Sequence, residues 1–151
     1  CGSKNLTDKL EGFNIDIGKM LLSPTRSYAP LLKLIFDEIG RNKINGIIHC
    51  TGGGQTKILH FIDNLHIIKN NLFEIPPIFK LIMNESNTDA KEMYKVFNMG
   101  HRMEIYLDPE NASKVIDISK SVGIDARIIG EVIESDFKRL SIQSELGNFE
   151  Y

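Results

Sequence analysis

Ile47-Ile48-His49-Cys50-Thr51-Gly52-Gly53-Gly54-Gln55-Thr56-Lys57-Ile58-Leu59 is the stretch on which the rest of the chain is read. An apolar run of strand character ends in a polar pair, three consecutive glycines follow, and a helix then begins. Glycine lacks Cβ, so it takes positive φ and lets a ligand come close to backbone N–H groups. A helix N-terminus just beyond adds unpaired donors and a partial positive charge. Together these predict an anion site at Gly52, Gly53 and Gly54, most often for a phosphate. The plainer reading is a tight turn with unusual dihedrals, although three glycines exceed what one turn demands. His49 stands where the strand delivers its last side chains. It is either a donor to a phosphate or reacting group, or a core histidine bonded to a carbonyl.

Working outward, Arg26 to Gly40 reads as a helix. Tyr28, Leu31, Leu32, Ile35, Phe36 and Ile39 recur at helical spacing, and Pro30 sits in the first turn. Ile44 to Cys50 reads as a strand, Gln55 to Asp63 as a short helix, and Leu65 to Lys69 as a second strand. Pro76 and Pro77 open a helix reaching about Met83. Asp89 to Phe97 is a further helix, with Asp89 and Glu92 spaced as a capping box. Arg102 to Leu107 alternates, with Met103, Ile105 and Leu107 on one face and Arg102, Glu104 and Tyr106 on the other. Asp108-Pro109-Glu110 starts a helix that Gly123 stops. Ala126 to Ile133 and Leu140 to Gln143 read as strands, and Ser144 to Tyr151 as a polar tail. Strands and helices mix without strict alternation. The expected class is α+β: a two-layer sandwich of helices packed on a mixed β-sheet.

With 151 residues, 42% hydrophobic and 25% charged, the chain is one globular domain able to bury a core without staples. A net charge of -2 with interleaved signs argues against nucleic acid as a partner. No apolar run is long enough for a membrane span, and no signal-peptide pattern is present. Cys1 and Cys50 lie far apart, and a buried free Cys50 suits a reducing, cytoplasmic setting. The opening Cys1-Gly2-Ser3-Lys4-Asn5 lacks an initiating methionine, and residues 1–17 are mostly polar. They are expected to be a linker, or the remnant of a preceding domain.

Two further segments carry polar chemistry. Phe97-Asn98-Met99-Gly100 joins a helix to a strand; Asn98 and Gly100 either make a turn or read a ligand in a cleft. In Ser23-Pro24-Thr25-Arg26, Ser23 or Thr25 is placed to cap the first long helix. Arg26 has the planar fork that suits phosphate or carboxylate, or else is a solvated charge. The histidines and cysteines show no zinc spacing. There is no Gly-x-Ser-x-Gly elbow and no full Walker loop. No loop clusters carboxylates for magnesium, so no metal ligand is assigned.

Four of these pieces occur together in one family. Leu21 to Tyr28, His49 to Gly54, Glu92 to Gly100 and Ile128 to Val132 resemble, in that order, the carboxy-terminal domain of aminoimidazole ribonucleotide synthetase, also called phosphoribosylformylglycinamidine cyclo-ligase. The resemblance covers about residues 18–135, and the domain is taken as 18–143 with a 144–151 tail. It implies a cytoplasmic, homodimeric enzyme of purine biosynthesis that uses ATP to close an imidazole ring on a phosphorylated ribonucleotide. ATP and Mg would be bound mainly by an amino-terminal domain that this chain does not show. By the same resemblance, His49 and Thr51 to Gly54 face substrate or phosphate. Asn98 and Gly100 line that cleft; Thr25 and Arg26 are binding candidates from their own chemistry, not from the resemblance. A proton-transfer role for His49 is a further expectation. Two stretches depart from the pattern. Gln55-Thr56-Lys57 stands where relatives often carry an acid followed by Asn, and His101-Arg102 makes one edge of the cleft more basic. The alternatives are a related ATP-dependent phosphotransferase of the selenophosphate synthetase or thiamine-monophosphate kinase type, or a non-catalytic module that binds phosphate ligands.

Overall fold

The computed structural model describes residues 2–151. In chain order the elements are α1 (Ile17–Leu21), α2 (Ala29–Ile39), β1 (Ile44–His49), β2 (Leu65–Lys69), α3 (Pro77–Ser86), α4 (Ala90–Val96), β3 (Met103–Leu107), α5 (Pro109–Ser121), β4 (Gly130–Glu134), β5 (Arg139–Ser144) and β6 (Gly147–Glu150). Short 3₁₀ helices cover Arg41–Lys43 and Gly54–His60. The α+β class holds, but the sheet is in two parts. β1 and β3 form an antiparallel ribbon, and the other four strands form a mixed sheet in the order β4-β2-β5-β6. Within that sheet β2 and β5 run parallel and the remaining pairs are antiparallel.

The ribbon separates two cores. On one side Ile48, Cys50 and Tyr106 join Ile58, Ile67, Ile75, Met93, Tyr94, Leu140 and Ile142. On the other, Ile44, Ile105 and Leu107 meet Leu31 and Ile35 of α2 and Val115 and Ile118 of α5. The alternation read in β3 is therefore real, but both of its faces are covered. Glu104, on the face with Arg102, is only 5% exposed. A strand period of two shows which residues share a face, not whether the second face meets solvent.

Several boundaries move for local reasons. α2 begins at Ala29, with Tyr28 as N-cap and no side-chain cap, so neither Ser23 nor Thr25 caps it. The helix expected from Gln55 is a seven-residue 3₁₀ segment beginning at Gly54. The strand expected from Ala126 forms only from Gly130, because β4 pairs along β2 and β2 ends at Lys69. The 144–151 tail is a correction: Gly147–Glu150 is a strand on β5, and Leu140 and Tyr151 exchange backbone hydrogen bonds of 3.1 and 3.0 Å. Its polar residues hid it, since of residues 144–151 only Leu146, Phe149 and Tyr151 reach the core. Asp89 caps α4 as expected, its Oδ1 accepting from the Glu92 N–H at 3.0 Å. The Glu92 side chain turns outward to Lys95 instead of closing the box. Within residues 2–16, Asp16 caps α1, and Leu6 and Asp8 carbonyls accept from Gly18 and Ile17. Cys1, counted among the thiols above, lies outside the described residues.

Candidate functional site

The ribbon ends where the glycines begin. His49 is exposed and pairs in register with Met103, on the α2 side of the ribbon. Its ring meets the edge of Tyr28 at a centroid distance of 6.3 Å. Its carbonyl accepts from Thr51 N–H at 2.8 Å and from Lys57 Nζ at 3.0 Å.

The three glycines have three different reasons. A Cβ on Gly54 would stand 2.5 Å from the Phe97 carbonyl oxygen and 2.7 Å from that of Tyr94, and φ is +48°. Gly54 is thus required by packing against the end of α4. Gly53 has φ +93° and starts the 3₁₀ segment. Nothing lies within 4 Å of a Cβ built on Gly52. Among the described residues, no hydrogen bond takes up the N–H of Gly52, Gly53 or Gly54. A seven-residue 3₁₀ segment is too short to act as a helix N-terminus toward an anion, so that part of the expectation falls away. A cation replaces it: Lys57 Nζ reaches back over the loop to Thr51 Oγ1 at 3.1 Å as well as to the His49 carbonyl. Lys57 was read only as a departure. Its position three residues past Gly54, on a turn of 3₁₀ helix, was the available signal.

Thr25, Arg26, Asn98 and Gly100 come together. They line one groove of about 420 Å³ whose apolar floor includes Phe79 and Ile82 and whose polar walls include Arg102 and Asp125. Arg26 donates to the Gly123 carbonyl at 2.9 Å, which ties the segment before α2 to the end of α5. Asn98 Oδ1 accepts from Gly100 N–H at 2.9 Å. Gly100 has φ +101°, and a Cβ there would press on the Pro76 ring at 2.9 Å. His49 and the glycines do not line this groove. They adjoin it through Tyr28, which touches His49 and also lines the groove, and through the bond from Cys50 N–H to the Arg102 carbonyl at 2.9 Å.

The two departures resolve differently. Arg102 is exposed in the groove wall, but His101 is 4% exposed and faces inward. Its Nε2 accepts from Phe73 N–H at 3.0 Å, so it is held neutral. Burial pushes its pKa down to about 4 against an opposing pull from Glu104. Only Arg102 makes that edge basic. Gln55 is fully buried. Its Nε2 donates to the Asn98 carbonyl at 2.6 Å, while its own carbonyl and Oε1 both accept from Lys69 Nζ at 2.9 Å. Lys69 also meets Glu104 Oε1 at 2.5 Å, and Tyr106 O–H donates to Glu104 Oε2 at 2.6 Å. Burial and the neighbouring Glu104 push the Tyr106 phenol far up, so it remains the donor. Cys50 is buried, and its thiol is pushed up to about 12, chiefly by burial. Among the described residues, no three His, Cys, Asp or Glu side chains converge to hold a metal. No helix among the described residues is long and apolar enough to cross a membrane.

The fold is shared with a known structure. The crystal structure of E. coli HypE, a hydrogenase maturation protein, superposes with a TM-score of 0.59 at 19% identity, over 89% of this chain and 43% of that one. The family follows from the sequence itself: residues 3–143 match the model of the AIR synthase related protein, C-terminal domain, and the chain belongs to that family. The match takes in most of the stretch expected to be a linker. Among curated relatives, the phosphoribosylformylglycinamidine cyclo-ligase of Methanococcus vannielii is 36% identical over 93% of this chain and 41% of its own length. The protein of the same name from Methanocaldococcus jannaschii is 36% identical over 87% and 37%. The chain therefore spans about two fifths of the length of the curated relatives it matches.

Proposed function

We propose that this chain forms the substrate-side domain of an ATP-dependent cyclo-ligase that makes aminoimidazole ribonucleotide from formylglycinamidine ribonucleotide. The convergence of Thr25, Arg26, Asn98 and Gly100 on one groove beside the glycine loop carries the reading. These residues come from segments far apart in sequence; the resemblance assigns Asn98 and Gly100 to the substrate cleft, and the guanidinium fork of Arg26 suits a phosphate beside them. The names of the relatives supply the reaction.

When bound, ATP supplies the phosphoryl group that turns the formamide oxygen into a leaving group. A substrate nitrogen then attacks that carbon, the ring closes, and inorganic phosphate departs. Such a reaction asks the protein chiefly for positioning and for neutralisation of phosphoryl charge. The free N–H groups of Gly52, Gly53 and Gly54 and the Lys57 ammonium offer donors to phosphoryl oxygens. Gly52, with open space where a side chain would be, leaves room for close approach. Arg26 keeps guanidinium donors beyond the one given to Gly123, enough for a ribonucleotide phosphate. The Asn98 amide is suited to the polar edge of the substrate. His49, exposed at the rim, is placed to donate a proton or a hydrogen bond there. Among the described residues no His, Cys, Asp or Glu cluster fits a magnesium site, so none of these roles is routed through a metal. The whole protein is expected to be a homodimer.

A chimera tests the reading. Residues 3–143 replace the matching part of the M. jannaschii relative, and ATP-dependent formation of the aminoimidazole is followed. Ring closure, with a raised KM for the ribonucleotide in the Arg26→Met form, supports the proposal. A folded chimera that binds ATP but releases phosphate without closing the ring, or does neither, overturns it.

A further inference from the structure

We infer that Gln55, anchored by Lys69, is a positioning residue that holds the groove-lining turn at Asn98 in register with the glycine loop. The inference rests on the reading of the groove as the substrate surface. Gln55 directly follows Gly54, and both of its amide atoms are committed. Lysine can only donate, so the atom facing Lys69 is Oε1 and the atom facing the Asn98 carbonyl is Nε2. A flipped amide would lose both bonds. Each of the three Lys69 donors has an acceptor: the Gln55 carbonyl, Gln55 Oε1 and Glu104 Oε1. Gln55, Lys69 and Glu104 are 0%, 1% and 5% exposed, so no water competes for these groups.

The turn needs such a hold. Met99 has φ +50°, a left-handed conformation that side chains rarely take, and it is buried. A residue in that region is strained and persists where its surroundings over-determine it. The Asn98 carbonyl is the fixed point: it accepts from His101 N–H at 2.9 Å inside the turn and from Gln55 Nε2 at 2.6 Å outside it. Stability alone does not account for the cluster. A buried ion pair is commonly matched or bettered by apolar residues of equal volume. Apolar residues cannot supply donors aimed at Gln55, and those donors are what fix its amide. By hydrogen bonds, Lys69 reaches the glycine loop and the Asn98 turn through Gln55.

The test uses the full-length protein carrying this chain, as wild type, Gln55→Met and Gln55→Glu. Methionine removes donor and acceptor together; glutamate, ionised beside Lys69, keeps the acceptor for Lys69 and turns a negative oxygen, not a donor, toward the Asn98 carbonyl. Amide hydrogen exchange is read at Gly100 and His101, whose N–H groups donate within the turn. Losing one buried hydrogen bond predicts exchange faster by about tenfold in either variant that folds. KM for formylglycinamidine ribonucleotide is expected to rise by a similar factor, and that rise should vanish in an Asn98→Ala background. A merely structural role would lower Tm yet leave KM unchanged below the melting range. Unchanged exchange at Gly100 and His101 overturns the inference. So does faster exchange with an unchanged KM, or a KM rise that simply adds to that of Asn98→Ala. If the wild type does not turn over this substrate, the proposed function fails on that result, while the exchange data still decide the coupling of the two loops.

Discussion

Replacing Gly54 and Gly52 separately by alanine separates glycine required by packing from glycine required by a ligand. At Gly54 a new Cβ meets two backbone oxygens, at 2.5 and 2.7 Å, at the end of α4. Backbone cannot rotate away as a side chain can, so the last turn of α4 must move, at about 1–3 kcal/mol. A left-handed φ of +48° adds about 1–2 kcal/mol for a residue with Cβ. Restricting the unfolded chain gives back about 0.4–1 kcal/mol. The net expectation for Gly54→Ala is a loss of about 1–4.5 kcal/mol, centred near 3, or a Tm lower by roughly 10 °C for a chain of this size. At Gly52 there is neither clash nor left-handed backbone, so only the unfolded-state gain applies. Gly52→Ala is therefore expected to be as stable as wild type, or slightly more so, yet to bind a phosphoryl ligand more weakly. Equilibrium unfolding in urea with unchanged m-values measures the first quantity, and ligand titration the second. A Gly54→Ala loss below about 0.5 kcal/mol would refute the steric reasoning, since that is the size of an ordinary surface change. A Gly52→Ala variant that binds phosphoryl ligands as well as wild type would remove the ligand explanation for that glycine.

Three other outcomes are expected. The folded His101 titrates near 4 against an ordinary value near 6.5, so the unfolded chain binds the extra proton between those values. Stability should be full above pH 6.5 and fall by about 3 kcal/mol as the pH drops toward 4. His101→Gln should flatten that slope in urea titrations run at several pH values. The Cys50 thiol, buried and pushed up to about 12, should resist iodoacetamide in the native chain and react fully in denaturant, as peptide mass mapping can show. His49→Ala and Lys57→Met should each lower turnover of the complete enzyme by roughly 10- to 100-fold, with Tm within about 3 °C of wild type. For Lys57→Met, a phosphate affinity less sensitive to salt is expected as well.

The elements with local signals were the legible ones. Leu65–Lys69 and the Asp89 cap are written in neighbouring residues and formed where expected, whereas the apolar face of α2 formed in part: Tyr28, Leu31, Ile35 and Ile39 join the core with Leu34 in place of Leu32 and Phe36. The family resemblance puts Asn98 and Gly100 in one cleft, but that Thr25 and Arg26 join them follows neither from it nor from spacing. Lys69 was not legible. A lysine ending a strand reads as a solvated charge, and its partner Glu104 lies 35 residues away on a different sheet. His101 failed for the same reason: its partner is the backbone of Phe73, which no side-chain pattern announces. β6 was missed because an edge strand with one apolar face and a polar tip resembles a loop until its partner is known.

The β1–β3 ribbon is a party wall with no weather side. Tenants on both floors lean on the same two strands, Ile48 and Tyr106 toward one room, Ile44, Ile105 and Leu107 toward the other. Neither compartment can melt by itself while its neighbour stays intact. A chain built this way should therefore give a single heat-absorption peak, and a graft that refurnishes one room must respect the tenants of both.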